Sequence, residues 1–188
     1  VAFDPVNPYR APASFLTEPE SEARADGRAL FSVGAVKLAL LSIGTLGLYQ
    51  MYWFYENWRR SRQHDGATTL PPLFLGIFCA LFAYPLFVRI ALRAEEAGVP
   101  VPWAPSTLAL FYLLLLVSID LPGAGSVAFL GSFLPIMRVQ RTAARLNVRN
   151  GLPAHPWSRI SLLNWIAVVP GFALLALVAA VALGIVAV

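Results

Sequence analysis

Four arginines, Arg138, Arg141, Arg145 and Arg149, recur at spacings of three, four and four, which gathers their side chains on one stripe of a helix. Guanidinium groups so arranged suit phosphate, which they hold through charge-assisted and often bidentate hydrogen bonds. These four are therefore the candidate lipid-headgroup residues. The plainer reading is a positive-inside anchor that sets orientation in a bilayer and recognises nothing in particular. A second set, Tyr49, Trp53, Glu56 and Arg60, also recurs every three or four residues. It presents two aromatic rings leading to a Glu–Arg pair and is the candidate docking face for a partner helix. Aromatics in such a setting also form an interfacial belt, because the ring is apolar while its N–H or O–H seeks water.

The other residues able to do chemistry are scattered. His64 and Asp65 are adjacent, and adjacency does not give the orienting geometry of a catalytic dyad. Cys79 is the single cysteine, and with only His64 and His155 beside it a dedicated Cys/His metal site is not expected. Lys37 lies inside an apolar run, where a cation at bilayer depth costs roughly 2.5–3.5 kcal/mol unless it snorkels to an interface. Asp120 precedes Pro122-Gly123 and reads as a solvated turn residue. No Gly-x-Ser-x-Gly, phosphate loop or His-Glu-x-x-His occurs. The sequence thus points to no catalytic residue, no metal site and no cofactor.

The elements that must position these residues are mostly apolar. With 58% hydrophobic and 13% charged residues among 188 and a mean hydropathy of +0.67, the composition exceeds that of a soluble domain. The expected fold is all-α, a polytopic membrane helical bundle of four to five hydrophobic helices. Apolar segments fall at about 31–58, 72–92, 104–119, 126–137 and 162–188, behind a polar, Pro-rich and acidic tail over residues 1–30. The tail lacks the basic and apolar regions of a secretory signal. The first segment breaks at Gly44-Thr45-Leu46-Gly47, and a hairpin is expected at Asp120–Gly125. Basic clusters follow both the first segment (Arg59, Arg60, Arg62) and the fourth (Arg138 to Arg159). Placing both on one side requires that one intervening segment not cross, and the second, with Pro85 inside and Arg89 and Arg93 at its end, is the candidate re-entrant or interfacial helix. A sequence pI of about 9.6 is matched by anionic lipid headgroups rather than nucleic acid, since most of the basic residues border apolar runs.

The stretch Phe31-Ser32-Val33, Lys37-Leu38 and Leu41-Ser42-Ile43-Gly44-Thr45-Leu46-Gly47-Leu48-Tyr49 through Tyr52-Trp53-Phe54-Tyr55-Glu56-Asn57-Trp58 resembles a signature of small bacterial membrane proteins, the DUF4234-like group. Asn7-Pro8-Tyr9-Arg10-Ala11-Pro12, Leu134-Pro135 to Val139-Gln140, and Leu146-Asn147 are similar to pieces of its longer members. The resemblance implies a multi-pass protein of the bacterial inner membrane and implies no activity. Three functions are consistent with the residues. One is a non-catalytic membrane protein serving as accessory or scaffold subunit of a larger membrane complex, with a membrane-protein partner and surrounding lipids. A transporter or channel component is the second, suggested by the broken first segment. Third is a lipid-binding or lipid-modifying protein built on the arginine stripe, which lacks a convincing base or nucleophile.

Overall fold

The chain is seen here in a computed structural model that describes residues 29–65, 70–121, 124–155 and 162–182, side chains at 64, 65, 124, 162–164, 167, 178–179 and 181–182 excepted. Most of the tail, residues 66–69, the Pro122-Gly123 part of the expected hairpin, the His64-Asp65 side chains and Arg159 lie outside that description.

Residues 29–33 are non-helical and buried. They lead into α1 (Ala35–Gly44). The turn to α2 (Leu48–Asp65) falls at the break that the glycines marked. Leu46 has φ 50° and Gly47 φ 90°, a left-handed pair that returns the chain, and at Gly47 glycine alone is free of the Cβ penalty. The Gly47 N–H donates to Ser42 O at 2.8 Å, closing α1. Thr45 joins the two helices: its hydroxyl donates to Leu41 O at 2.6 Å and accepts the Tyr49 N–H at 2.9 Å.

The short α3 (Pro72–Ile77) starts with proline in its first turn, where the missing N–H is not needed. It stops at Phe78 and gives way to α4 (Cys79–Glu96), which contains Pro85. Another proline opens α5 (Pro105–Val117). A 3₁₀ turn, Ser118–Asp120, and α6 (Ala124–Leu130) follow. Next come α7 (Phe133–Arg149) and α8 (Leu162–Ala182), the latter with Pro170 inside.

Helix α2 packs on α3 and α4, α4 on α5, and α7 covers both α4 and α5, while α1 lies against α8. Aromatic rings hold the centre. Phe54 of α2 stacks on Phe87 of α4 at 6.0 Å between centroids and meets Tyr112 of α5 at 5.4 Å. Trp53, Leu86, Ile90, Ile136 and Val139 complete this fully buried layer. At the α1–α8 crossing the backbones nearly touch, for a Cβ built on Gly171 would collide with Gly44 O.

The all-helical expectation holds for the described residues, among which no strand occurs. The polytopic membrane bundle and multi-pass inner-membrane placement do not stand: over the described residues no helix is long and apolar enough to cross a membrane. In four of the five expected segments the long apolar run is cut, and the fifth, 162–188, is described only as far as Ala182, in α8, with Pro170 inside and several of its side chains outside the description. Segment 31–58 divides into a non-helical stretch, a ten-residue helix and α2, which is rich in polar and charged groups. Segment 72–92, expected to be re-entrant, breaks at Phe78 and continues into Arg93, Glu95 and Glu96. Segment 104–119 yields a helix of 13 residues, roughly 20 Å at about 1.5 Å per residue against a hydrocarbon core of about 30 Å. Segment 126–137 is split by Gly131-Ser132 between α6 and α7.

Candidate functional site

The densest polar chemistry lies where α2 and α7 face each other across residues 29–33. Asn147 of α7 accepts the Leu30 N–H at 3.0 Å and donates to Leu30 O at 3.0 Å and to Ser32 Oγ at 3.2 Å. Asn57 of α2 repeats the arrangement one residue on. It accepts the Phe31 N–H at 3.1 Å and donates to Phe31 O at 3.2 Å and to Trp53 O at 3.0 Å. Gln140 donates to Val33 O and accepts the Trp53 indole N–H at 3.2 Å. Ser32 Oγ donates to Ala154 O, and Arg60 donates to Ala29 O at 3.4 Å. Side-chain amides thus do here what a neighbouring strand does in a sheet, satisfying main-chain groups that burial would otherwise leave orphaned.

This clamp was not visible as a site in the sequence, although a signal existed. Gln140 and Asn147 are seven residues apart on the stripe that also carries Ile136, Val139, Ala143 and Leu146, all buried. A carboxamide on an apolar stripe needs a buried partner, and the main chain supplies it. Asn57, Gln140 and Asn147 also belong to the stretches that carry the family resemblance.

Of the proposed docking face, Tyr49 is half-buried, and Trp53, Glu56 and Arg60 are interior. Their surface is covered by the protein's own residues 29–33 and α7 rather than left for another chain. Glu56 pairs with Arg59 at 3.0 Å and with Arg60 at 3.3 Å, and the Arg60 guanidinium lies 5.9 Å from the Phe31 ring centroid. Burial pushes the Tyr49 hydroxyl well above its ordinary pKa, the neighbouring Tyr52 adding to the shift. Arg89 and Arg93 turn inward as well. Arg89 lies 5.2 Å over the Trp58 ring, and Arg93 donates to Ser61 O at 3.3 Å.

The arginine stripe is placed differently. Arg138, Arg141, Arg145 and Arg149 are all exposed on α7, and the helix holds no Asp or Glu. Among the described residues none of the four forms an ion pair. Lys37 is partly buried and lines a crevice of about 440 Å³ between α1 and α8, and burial pulls its amine pKa down. Cys79 is buried with its Sγ 3.3 Å from the Tyr112 hydroxyl. Burial pushes that thiol up, away from the reactive thiolate. Among the described residues no group of three or more His, Cys, Asp or Glu side chains is placed to hold a metal. Asp120 is exposed at the end of its 3₁₀ turn, and His155 is exposed after α7.

Large apolar side chains remain outside. Leu110, Leu113, Leu114 and Val117, at helical spacing on α5, are 36–57% exposed, and Phe74, Ile77, Phe78 and Leu81 at the α3–α4 junction 40–70%.

No family model, curated protein or solved structure matches the chain. The likeness to the DUF4234-like group therefore rests on its quoted motifs alone.

Proposed function

We propose that this chain is a non-catalytic accessory or scaffold subunit, which acts by packing against a larger protein complex. One observation carries the reading: the core amides of Asn57, Gln140 and Asn147 are spent on its own main chain, while the outer stripe of α5 offers Leu110, Leu113, Leu114 and Val117 to whatever covers it. Contiguous exposed apolar surface marks an interaction site. The i, i+3, i+4, i+7 spacing is that of a helix presented to an apolar groove or a second helix. The partner is accordingly a protein with a complementary apolar surface. Catalysis would need groups converging on a shared space. The described residues bring no three His, Cys, Asp or Glu side chains together at a metal site, and Cys79 and Tyr112 are buried against each other.

The test is native-gel separation of gently extracted material from the source cells, with mass spectrometry of what migrates with the chain. The reading expects an assembly of fixed stoichiometry that dissociates when Leu110 and Leu114 are changed to Gln while the helical circular dichroism is kept. A chain that migrates alone from native extracts, or an assembly indifferent to those substitutions, removes it.

A further inference from the structure

Between helices α5 and α7 lies a crevice of about 400 Å³, lined by Thr107, Leu108 and Phe111 on one side and Leu134, Met137, Arg138 and Arg141 on the other. We infer that this crevice binds a single-chain anionic amphiphile, with its acyl chain along the apolar walls and a phosphate headgroup held by Arg138 and Arg141. The inference goes beyond the accessory-subunit reading and does not depend on it.

Three observations lead there. First, the walls are apolar and open: Phe111 and Leu134 are 45% and 48% exposed, so the crevice leaves hydrocarbon surface in contact with water unless something fills it. Second, both cations line the same wall of the crevice. Arg138 and Arg141 are three residues apart on one helix face, and Arg141 folds back so that its Nη2 lies 3.8 Å from Met137 Sδ, against the crevice wall. Neither has an ion-pair partner among the described residues, and the helix bearing them holds no acidic residue. Two exposed guanidinium forks on the crevice wall therefore have their donors unclaimed by carboxylates, and such forks can bind a phosphate bidentately. Third, the volume is limited. About 400 Å³ lies toward the lower end of the roughly 300–1,000 Å³ of small-molecule pockets, which favours one acyl chain over a diacyl lipid. The Thr107 hydroxyl on the opposite wall adds a polar contact for the head or its linker.

Arg145 and Arg149 lie further along the same exposed stripe and do not line the crevice. They serve as an internal control, because changing them removes the same charge without touching the site.

The experiment is calorimetric titration of the full chain with lysophosphatidate, below the concentration at which it forms micelles. Inorganic phosphate and lysophosphatidylcholine are titrated in parallel. The expected result is saturable binding of one lysophosphatidate per chain and much weaker binding of either comparison ligand. In R138Q/R141Q the affinity should fall about tenfold or more, the loss of charge-assisted hydrogen bonds, whereas R145Q/R149Q should keep it within about twofold. Leu134→Trp, which fills the apolar wall from an exposed position, should also abolish binding while preserving the thermal unfolding midpoint. Inorganic phosphate binding as tightly as lysophosphatidate would overturn the proposal in favour of a plain anion site. Equal loss in both arginine pairs would overturn it in favour of diffuse charge attraction. Equal binding of the phosphocholine lipid, or no saturable binding at all, would overturn it outright.

Discussion

The two sides of α5 and α7 meet their surroundings in opposite ways. Inward, α7 lends Gln140 and Asn147 to a buried main chain and packs Ile136 and Val139 into the aromatic layer. Outward, it shows arginines at 138, 141, 145 and 149 together with Leu134 and Val148, and α5 shows mostly apolar side chains, chiefly leucines. The inward region is tightly specified, because each amide must find its N–H or C=O and a misplaced neighbour leaves a buried polar group unmatched. The outward arginines form no ion pair among the described residues. A chain so apolar can therefore hold its own architecture with a few polar groups and leave much of its hydrocarbon for other surfaces.

Substitutions should separate the two regions by size of effect. Glu56→Ala is expected to be the most damaging, at about 3–5 kcal/mol, because it takes the carboxylate from a buried guanidinium; chemical denaturation of the variant checks it. Asn147→Ala follows at about 2–4 kcal/mol, since two buried main-chain groups of Leu30 lose their partner. Amide exchange at Leu30 should speed up in that variant while exchange in the α4–α5 pair stays slow. Gly171→Ala sets a methyl against Gly44 O and should cost about 1–3 kcal/mol, read as a lower thermal midpoint. Leu114→Gln, on the outer stripe, should change stability by less than about 0.5 kcal/mol while weakening association with a partner. A large stability loss from Leu114→Gln, or none from Asn147→Ala, would dissolve the distinction between the regions.

Much of the helical pattern was legible in the sequence. The Gly44–Gly47 break, the prolines that start α3 and α5, and the arginine periodicity on α7 are local signals, set by φ preferences and helical repeat. What covers an apolar surface is not local. Hydropathy put the runs into a bilayer, and it cannot see that 72–92 breaks at Phe78 or that α5 ends after 13 residues. The face with Trp53 and Arg60 read as a dock for a partner helix because spacing shows which residues share a face and not what lies on it. Residues 29–33, with α7, were that cover, 26 and 117 positions away from the side chains that bind them. Asn57, Gln140 and Asn147 were in plain view as residues, and only their distant partners explain them. The crevice beside Arg138 likewise needs α5 and α7 together.

The grip on residues 29–33 makes that stretch a ligand tethered to its own receptor. Its main-chain bonds fix register, its buried Leu30, Phe31 and Val33 supply affinity, and the short connection to α1 holds it at high effective concentration. Leaving would require these contacts to break together, since Leu30, Phe31 and Val33 share one buried core with Trp53, Ile136 and Val139. Each departure would uncover two asparagines and a glutamine aligned for another extended peptide. The amide protons of Leu30 and Phe31 would then report the opening rate of a slot that the resting molecule keeps filled with itself.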